Sequence, residues 1–404
     1  MEASQDVKVE QLIKWLQDRG WKCDPLLLRV FDFPQTGRGL QALKRIEPGT
    51  RLIAIPGARN ILISLYSIRQ CPAFLQSLTS SKEVEQLGSH LILSSFLMFL
   101  KSNNGFCGPD NWNPYLNSLP ECYSVPFFLN AQTVNILPRY LKALVEAQIV
   151  LVTKNFQLLK TKFMSSQPPL DNFSWAWFTV NTRGVFYDYK KADPKCDNLA
   201  LVPFLDLFNH SCDVTVKAGF IPDTDCYEIV TETGIDAGSQ AFINYGPHGN
   251  VKLFVEYGFV IADNPNDCIP ITLEELQEHL GYTLVQDEKI ELARRNGFHH
   301  NMSIHRDGCT WGLLACLQIL TMKTGNVHQW QRLVYETDLE SDCKLLQTLR
   351  LFMDTLETEI TQCKSGLIGT KNGGRSEVVL LSLLDEHLRL LKQSGRALAN
   401  NIEK

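Results

Sequence analysis

The chain has 404 residues, of which 44% are apolar and 21% charged, and a formal charge of −5. At ~150 residues per domain, two or three structural units are expected. The balance excludes a disordered chain, a collagen, a coiled-coil rod and a small disulfide scaffold. It also argues against a nucleic acid as direct substrate, because phosphate contacts call for a basic surface.

The first residues, MEASQDVKVE, are polar and acidic, unlike a secretion signal. Val9, Leu12, Ile13 and Leu16 then fall on one face and predict a short helix within 1–23. LLLRVFDF (26–33) and RLIAIP (51–56) read as short strands. The segment between them holds three glycines and two prolines, the turn chemistry of a loop whose backbone can approach a ligand. From about 61 to 165 the pattern is helical. LILSSFLMFL (91–100) is too short and too serine-broken to span a bilayer. Leu141, Val145, Ile149, Val152, Phe156, Leu159 and Phe163 form one amphipathic stripe, which the prolines of SSQPPLDN (165–172) end. Between 174 and 262 strand-like pieces return: KAGFIP, YEIVTET, QAFINYG and VEYGFVI. Leucine stripes from about 271 onward predict helices around Leu313–Leu320, Leu345–Ile360 and Leu380–Leu391. GLIGTKNGGR (366–375) is a loop between two of them and lacks the Gly-Lys-Ser/Thr of a phosphate loop. The order β, α, β, α predicts an α+β unit followed by an all-α domain. Each β region is too small to bury a core alone, so the two combine, with 61–165 as an insertion.

The twelve cysteines include no Cys-x-x-Cys, and the closest two are seven residues apart, so zinc-site spacing is missing. Most read as buried free thiols of a reduced compartment, which places the chain inside the cell. HHNMSIH (299–305) has no metal-like histidine pair on an evident helix.

Four segments carry unusual chemistry: TGRGL (36–40), TVNTR (179–183), LVPFLDLFNHS (201–211) and INYGPHGNVKLFVEYGFV (243–260). In the third, Asp206, Asn209 and His210 interrupt an oily run; buried polar groups need partners, so they tie loops together or hold a polar ligand. On spacing alone, Asp206 and His210 suit a capped turn or a metal pair. In the fourth, a Gly-Pro turn leaves the Tyr245 phenol at the mouth of a strand.

Together with WNPYLNSLP (112–120), these segments resemble the SET-domain protein methyltransferases of the Rubisco large-subunit methyltransferase type. The resemblance covers nearly the whole chain. It implies an N-terminal helix (1–23), a split SET β-fold (24–262) with a helical insertion at about 61–165, and a C-terminal helical Rubisco-substrate-binding-like domain (263–404). The implied cofactor is S-adenosylmethionine, without a metal, along Thr36, Arg38, Gly39, Arg183, Asp206, Asn209, His210 and Tyr245. The Arg183 guanidinium suits the two oxygens of a methionine carboxylate. Tyr245 matches the catalytic tyrosine. Tyr257 matches a second tyrosine lining the acceptor channel, and Phe220 falls near a family tyrosine on the substrate side, with a one-residue gap. The implied activity is protein-lysine N-methylation of histones, other proteins or both, in cytoplasm and nucleus, by a monomer that contacts no nucleic acid or membrane. One family branch methylates a histidine, and a non-catalytic interaction module is the third reading. The helical tail stands where other SET enzymes carry a cysteine-rich zinc module.

Overall fold

A computed structural model of the chain describes residues 7–21, 27–57, 61–78, 87–162, 169–187, 198–281, 287–368 and 374–402. Cys23, Cys196, Phe163 and residues 369–373 of the 366–375 loop lie outside them, while 366–368 and 375 belong to the flanking helices. The chain divides into two compact units, 1–123 with 150–247, and 124–149 with 248–404.

The first unit is built on small sheets. In one, the strands Leu28–Phe33, Gly37–Ala42 and Gln240–Ile243 are antiparallel neighbours, and Asn209–His210 joins the edge of the last in parallel. A second sheet orders Val216–Ile221, Cys226–Thr231 and Arg51–Pro56, all antiparallel. The alternating burial of Cys226–Thr231 puts Tyr227, Ile229 and Thr231 inward, as a half-covered strand requires. Beside the sheets, the helix Ser89–Ser102 packs on the helix Leu170–Arg183. The N-terminal helix Val7–Asp18 buries Val9, Leu12, Trp15 and Leu16, with Trp15 against Trp112 at 5.2 Å.

Three expectations need correcting here. The 34–50 segment is not one loop: Gly37–Ala42 is a strand, paired residue for residue with Leu28–Phe33. Its glycines disguise it, and Gly39 is tolerated because side chains close over it (below). The strand-like reading from 174 is wrong for 170–183, which is helical. Phe173 through Val180 are all buried, so no polar face betrays the helical period. Cysteines 71 and 107 are paired as a disulfide rather than free. Among the other described cysteines, Cys316 and Cys363 are buried, whereas Cys122 and Cys343 are exposed.

The second unit is mainly helical. The helices Cys343–Ile368 and Arg375–Ile402 pack along each other. Leu345, Leu349, Phe352, Leu356 and Ile360 are buried at three- and four-residue spacings, so the predicted stripe is core. The helix Trp311–Thr321 buries Leu313 through Leu317, Ile319 and Leu320 in the same core, with Leu141 and Val145 of the helix Arg139–Lys160. The helix Leu273–Leu280 opens with a capping box: Thr272 accepts from the Glu275 N–H, and Glu275 accepts from the Thr272 N–H. VEYGFVI is not a strand. Leu253–Tyr257 is a wide helical turn, ended by Gly258 at φ +78°. A Cβ on Gly258 would lie 2.9 Å from the Val125 backbone nitrogen, so glycine is needed for both conformation and space. Among the described residues, no helix is long and apolar enough to cross a membrane.

Candidate functional site

In the first unit the structure gathers most of the residues singled out in the sequence. The turn between Leu28–Phe33 and Gly37–Ala42 carries Thr36, and the start of the second strand carries Arg38 and Gly39. The Asn209 side-chain amide donates to the Arg38 carbonyl at 3.2 Å and the Thr36 carbonyl at 3.4 Å. The Thr36 hydroxyl donates to Gln240 Oε1 at 2.7 Å. A Cβ on Gly39 would collide with Gln240 Nε2 and stand 2.8 Å from Asn209 Nδ2, so these side chains would have to give way. Arg38 donates to the Ser118 carbonyl at the end of the helix Asn113–Ser118.

Arg183 ends the helix Leu170–Arg183, and Asp206 sits in the short turn Leu205–Leu207. Arg183 Nη1 donates to the Asp206 carbonyl at 2.6 Å and lies 3.7 Å from its carboxylate Oδ2. Tyr115 donates its hydroxyl to the same Oδ2 at 3.2 Å. Tyr123, with its hydroxyl 2.7 Å from Thr179 Oγ1, lies within electrostatic reach. Burial works against the Arg183 charge, but Asp206 and then tyrosines 123, 115 and 245 outweigh it, and its pKa is raised. Burial pushes the Asp206 carboxyl up, against the pull of Arg183 and Arg38. The guanidinium keeps its proton in proteins and so fixes a positive charge here. Arg183 Nε and Asp206 Oδ1 are both buried without a hydrogen-bond partner. The turn starts at Phe204, whose φ of +73° is rare for a bulky residue, and such strain persists only where the surroundings enforce it.

Tyr245 lies just past the strand Gln240–Ile243. Its hydroxyl donates to the Phe208 carbonyl at 2.7 Å, and its N–H donates to His210 Nδ1 at 3.1 Å. The two rings stack at 5.0 Å and 19°. The ring-nitrogen bond and the stack fix both the phenol and the imidazole.

Two further predicted residues have neighbours of their own. Phe220 packs edge-on against Tyr187 at 5.5 Å, with Gly57 beneath them. Tyr257 belongs to the second unit, half-buried, 6.3 Å from the His248 ring. Burial and then Glu256 raise the pKa of its phenol. Residues missed in the sequence are Tyr115, Tyr123, Ser118 and Gln240. Tyr115 and Ser118 lie inside WNPYLNSLP, but nothing in that string says that a buried carboxylate awaits the tyrosine. Among the described residues, no group of His, Cys, Asp and Glu could hold a metal ion.

Comparison with known proteins gives a consistent picture. A family model described as "SET domain" matches residues 37–246. SET domain-containing protein 4 of Homo sapiens is 31% identical over 410 residues, covering 96% of this chain and 90% of its own. Ribosomal lysine N-methyltransferase set11 of Schizosaccharomyces pombe is 31% identical over 269 residues, covering 65% of this chain and 64% of its own. A crystal structure of the SET domain of LSMT bound to lysine and AdoHcy superposes with a TM-score of 0.71 at 19% identity, over 98% of this chain and 92% of the other.

Proposed function

The chain belongs to the SET-domain family, and on that premise we propose that it is an S-adenosylmethionine-dependent protein-lysine N-methyltransferase. One observation carries the reading. The Tyr245 phenol oxygen is fixed on the Phe208 carbonyl, in the same run of chain as Asp206, whose partner Arg183 keeps a buried donor without a match. Arg183 Nε offers a donor and Asp206 Oδ1 an acceptor, which are the complements of an α-carboxylate and an α-ammonium. The donor set therefore fits the amino-acid end of the cofactor. Thr36, Arg38, Gly39 and Asn209 would hold it where the turn runs into the strand Gly37–Ala42, and Arg183, Asp206 and His210 would hold its other end. When bound, S-adenosylmethionine supplies an electrophilic methyl carbon.

The chain's own residues do the rest. The hydroxyl proton of Tyr245 is committed to Phe208, so the phenol oxygen presents lone pairs to an arriving N–H. That is positioning rather than covalent chemistry. A lysine amine must shed its proton to attack, and its ordinary pKa is ~10.4. Aromatic walls disfavour the ammonium and lower that value. Tyr257 would line the channel as the second tyrosine, and Phe220 would lie toward the substrate. The acidic net charge suits basic protein segments, histone tails or others, in cytoplasm and nucleus. The set11 relative, a lysine methyltransferase by name, supports lysine as acceptor.

The test is transfer of labelled methyl to a protein and peptide library by the wild type, Tyr245→Phe and Asn209→Ala. Strong labelling by the wild type and near-loss in both variants is expected, and equal labelling by all three sinks the site assignment. Mass spectrometry of the product then separates methyl-lysine from methyl-histidine.

A further inference from the structure

The turn that carries Tyr257 is closed by a buried polar lock. Asn250 is fully buried at the start of this turn. Its carboxamide grips Ile261 on both sides: Nδ2 donates to the Ile261 carbonyl at 3.0 Å, and Oδ1 accepts from the Ile261 N–H at 3.0 Å. Residues 250–261 are thereby tied into a ring, with the wide turn Leu253–Tyr257 inside it. Asp267, 5% exposed, clamps Asn250 in turn, accepting from its N–H at 2.8 Å and its Nδ2 at 2.9 Å. Asn264 adds a bond to Asn250 Oδ1 at 3.2 Å and one to the His248 carbonyl at 2.9 Å. Gln148 holds the Val255 carbonyl at 2.6 Å, two residues before Tyr257.

This is more polar structure than a surface turn needs. A wide turn is an unusual helical form, often found at functional sites. Four hydrogen bonds to one carboxamide and a carboxylate behind it fix its register. None of these groups is exposed enough to meet a ligand, so their effect passes through the turn.

We propose that Asn250 and Asp267 are positioning residues for Tyr257, closing its turn in one register so that its ring is held at a fixed depth for the acceptor. This rests on the reading of Tyr257 as a wall of the acceptor channel. A displacement of about 1 Å in such a group can cost on the order of 100-fold in rate.

The experiment compares full-length wild type, Asn250→Ala, Asn250→Asp, and Asn250→Asp combined with Asp267→Asn. Amide hydrogen exchange is read at 251–261, and methyl-transfer kinetics are read with Tyr257→Phe as benchmark. In Asn250→Ala, exchange should rise at 251–261 while Cys343–Ile368 and Arg375–Ile402 keep their protection. The value of kcat should fall about 100-fold, with KM for cofactor within a few-fold. Asn250→Asp sets a carboxylate against Asp267 and should behave alike, and adding Asp267→Asn, which restores a donor opposite the new carboxylate, should recover part of the protection and rate. Wild-type exchange at 251–261 in Asn250→Ala overturns the proposal, as does loss of protection throughout the unit in both single variants without recovery in the double. If the exchange results hold but no protein accepts methyl from the wild type, the lock stands and the methyltransferase reading falls.

Discussion

Two clusters in the molecule bury their polar groups in opposite ways. Around Asn250 and Asp267, the carboxamide satisfies four hydrogen bonds and the carboxylate accepts from three N–H groups. Around Arg183 and Asp206, a cation and an anion lie together yet leave Nε and Oδ1 without partners. A scaffold closes its own hydrogen bonds, because each buried group left open costs about 1–3 kcal/mol. A binding site keeps some open for a ligand to close. The contrast sets a self-satisfied cluster at Asn250 and Asp267 beside an open one at Arg183 and Asp206.

The largest effect should come from the open pair. Arg183→Leu leaves the Asp206 carboxylate buried without its cation and should lower stability by about 3 kcal/mol, read by denaturant unfolding. Asp206→Leu should do the same, whereas the double variant should regain most of the loss; a double variant as unstable as the sum would show that the two groups are not a pair. Next, Tyr245→Phe should cut methyl transfer about 100-fold, or about 2.7 kcal/mol, while calorimetry finds cofactor affinity within a few-fold of wild type. Equal losses in both would make the phenol a binding group instead. On the closed side, Gly258→Ala forces a Cβ at φ +78° against the Val125 backbone and should cost about 2 kcal/mol. Unchanged thermal unfolding would mean that the turn can yield.

The smallest effect lies in pH dependence. Burial raises the Asp267 carboxyl from 3.8 to about 6, so between those values the fold holds the extra proton and loses stability as pH rises. Burial lowers His387 from 6.5 to about 3, so between those values the unfolded chain holds the extra proton and the fold gains stability as pH rises. The two trends oppose each other from about pH 4 to 6. Relative to wild type, Asp267→Asn should steepen the gain with rising pH, by up to about 1.4 kcal/mol per unit, in unfolding curves taken across that range. An unchanged slope would show that Asp267 does not titrate there.

Much of this was legible in the sequence, for physical reasons. The stripes at Leu141–Leu159 and Leu345–Ile360 are visible because one face of each helix is wet and the other dry. Thr36, Arg38, Gly39, Asn209 and His210 stood out as glycines and polar residues in oily company, and the structure links them. The helix 170–183 hid because it is dry on every side, and the strand 37–42 hid behind its glycines. Tyr115, Gln240, Asn250 and Asp267 were invisible as a class. Each gains its meaning from a partner that only folding supplies, 91 residues away for Tyr115 and Asp206, and 17 for Asn250 and Asp267.

The long reach of those partners also bears on how the molecule is made. Asn209 grips Arg38 from 171 residues downstream, and Thr36 waits for Gln240 across 204. The strand Asn209–His210 has its parallel neighbour at Phe242 and Ile243. Contacts of such separation carry a large loop-closure cost and form late. During synthesis the glycine turn emerges early, but the residues that complete it do not exist until almost 250 have been joined. A nascent chain or a truncated product ending before that point therefore has the motif without the partners that fix it, and the cluster is completed abruptly, near the end of the first unit's synthesis.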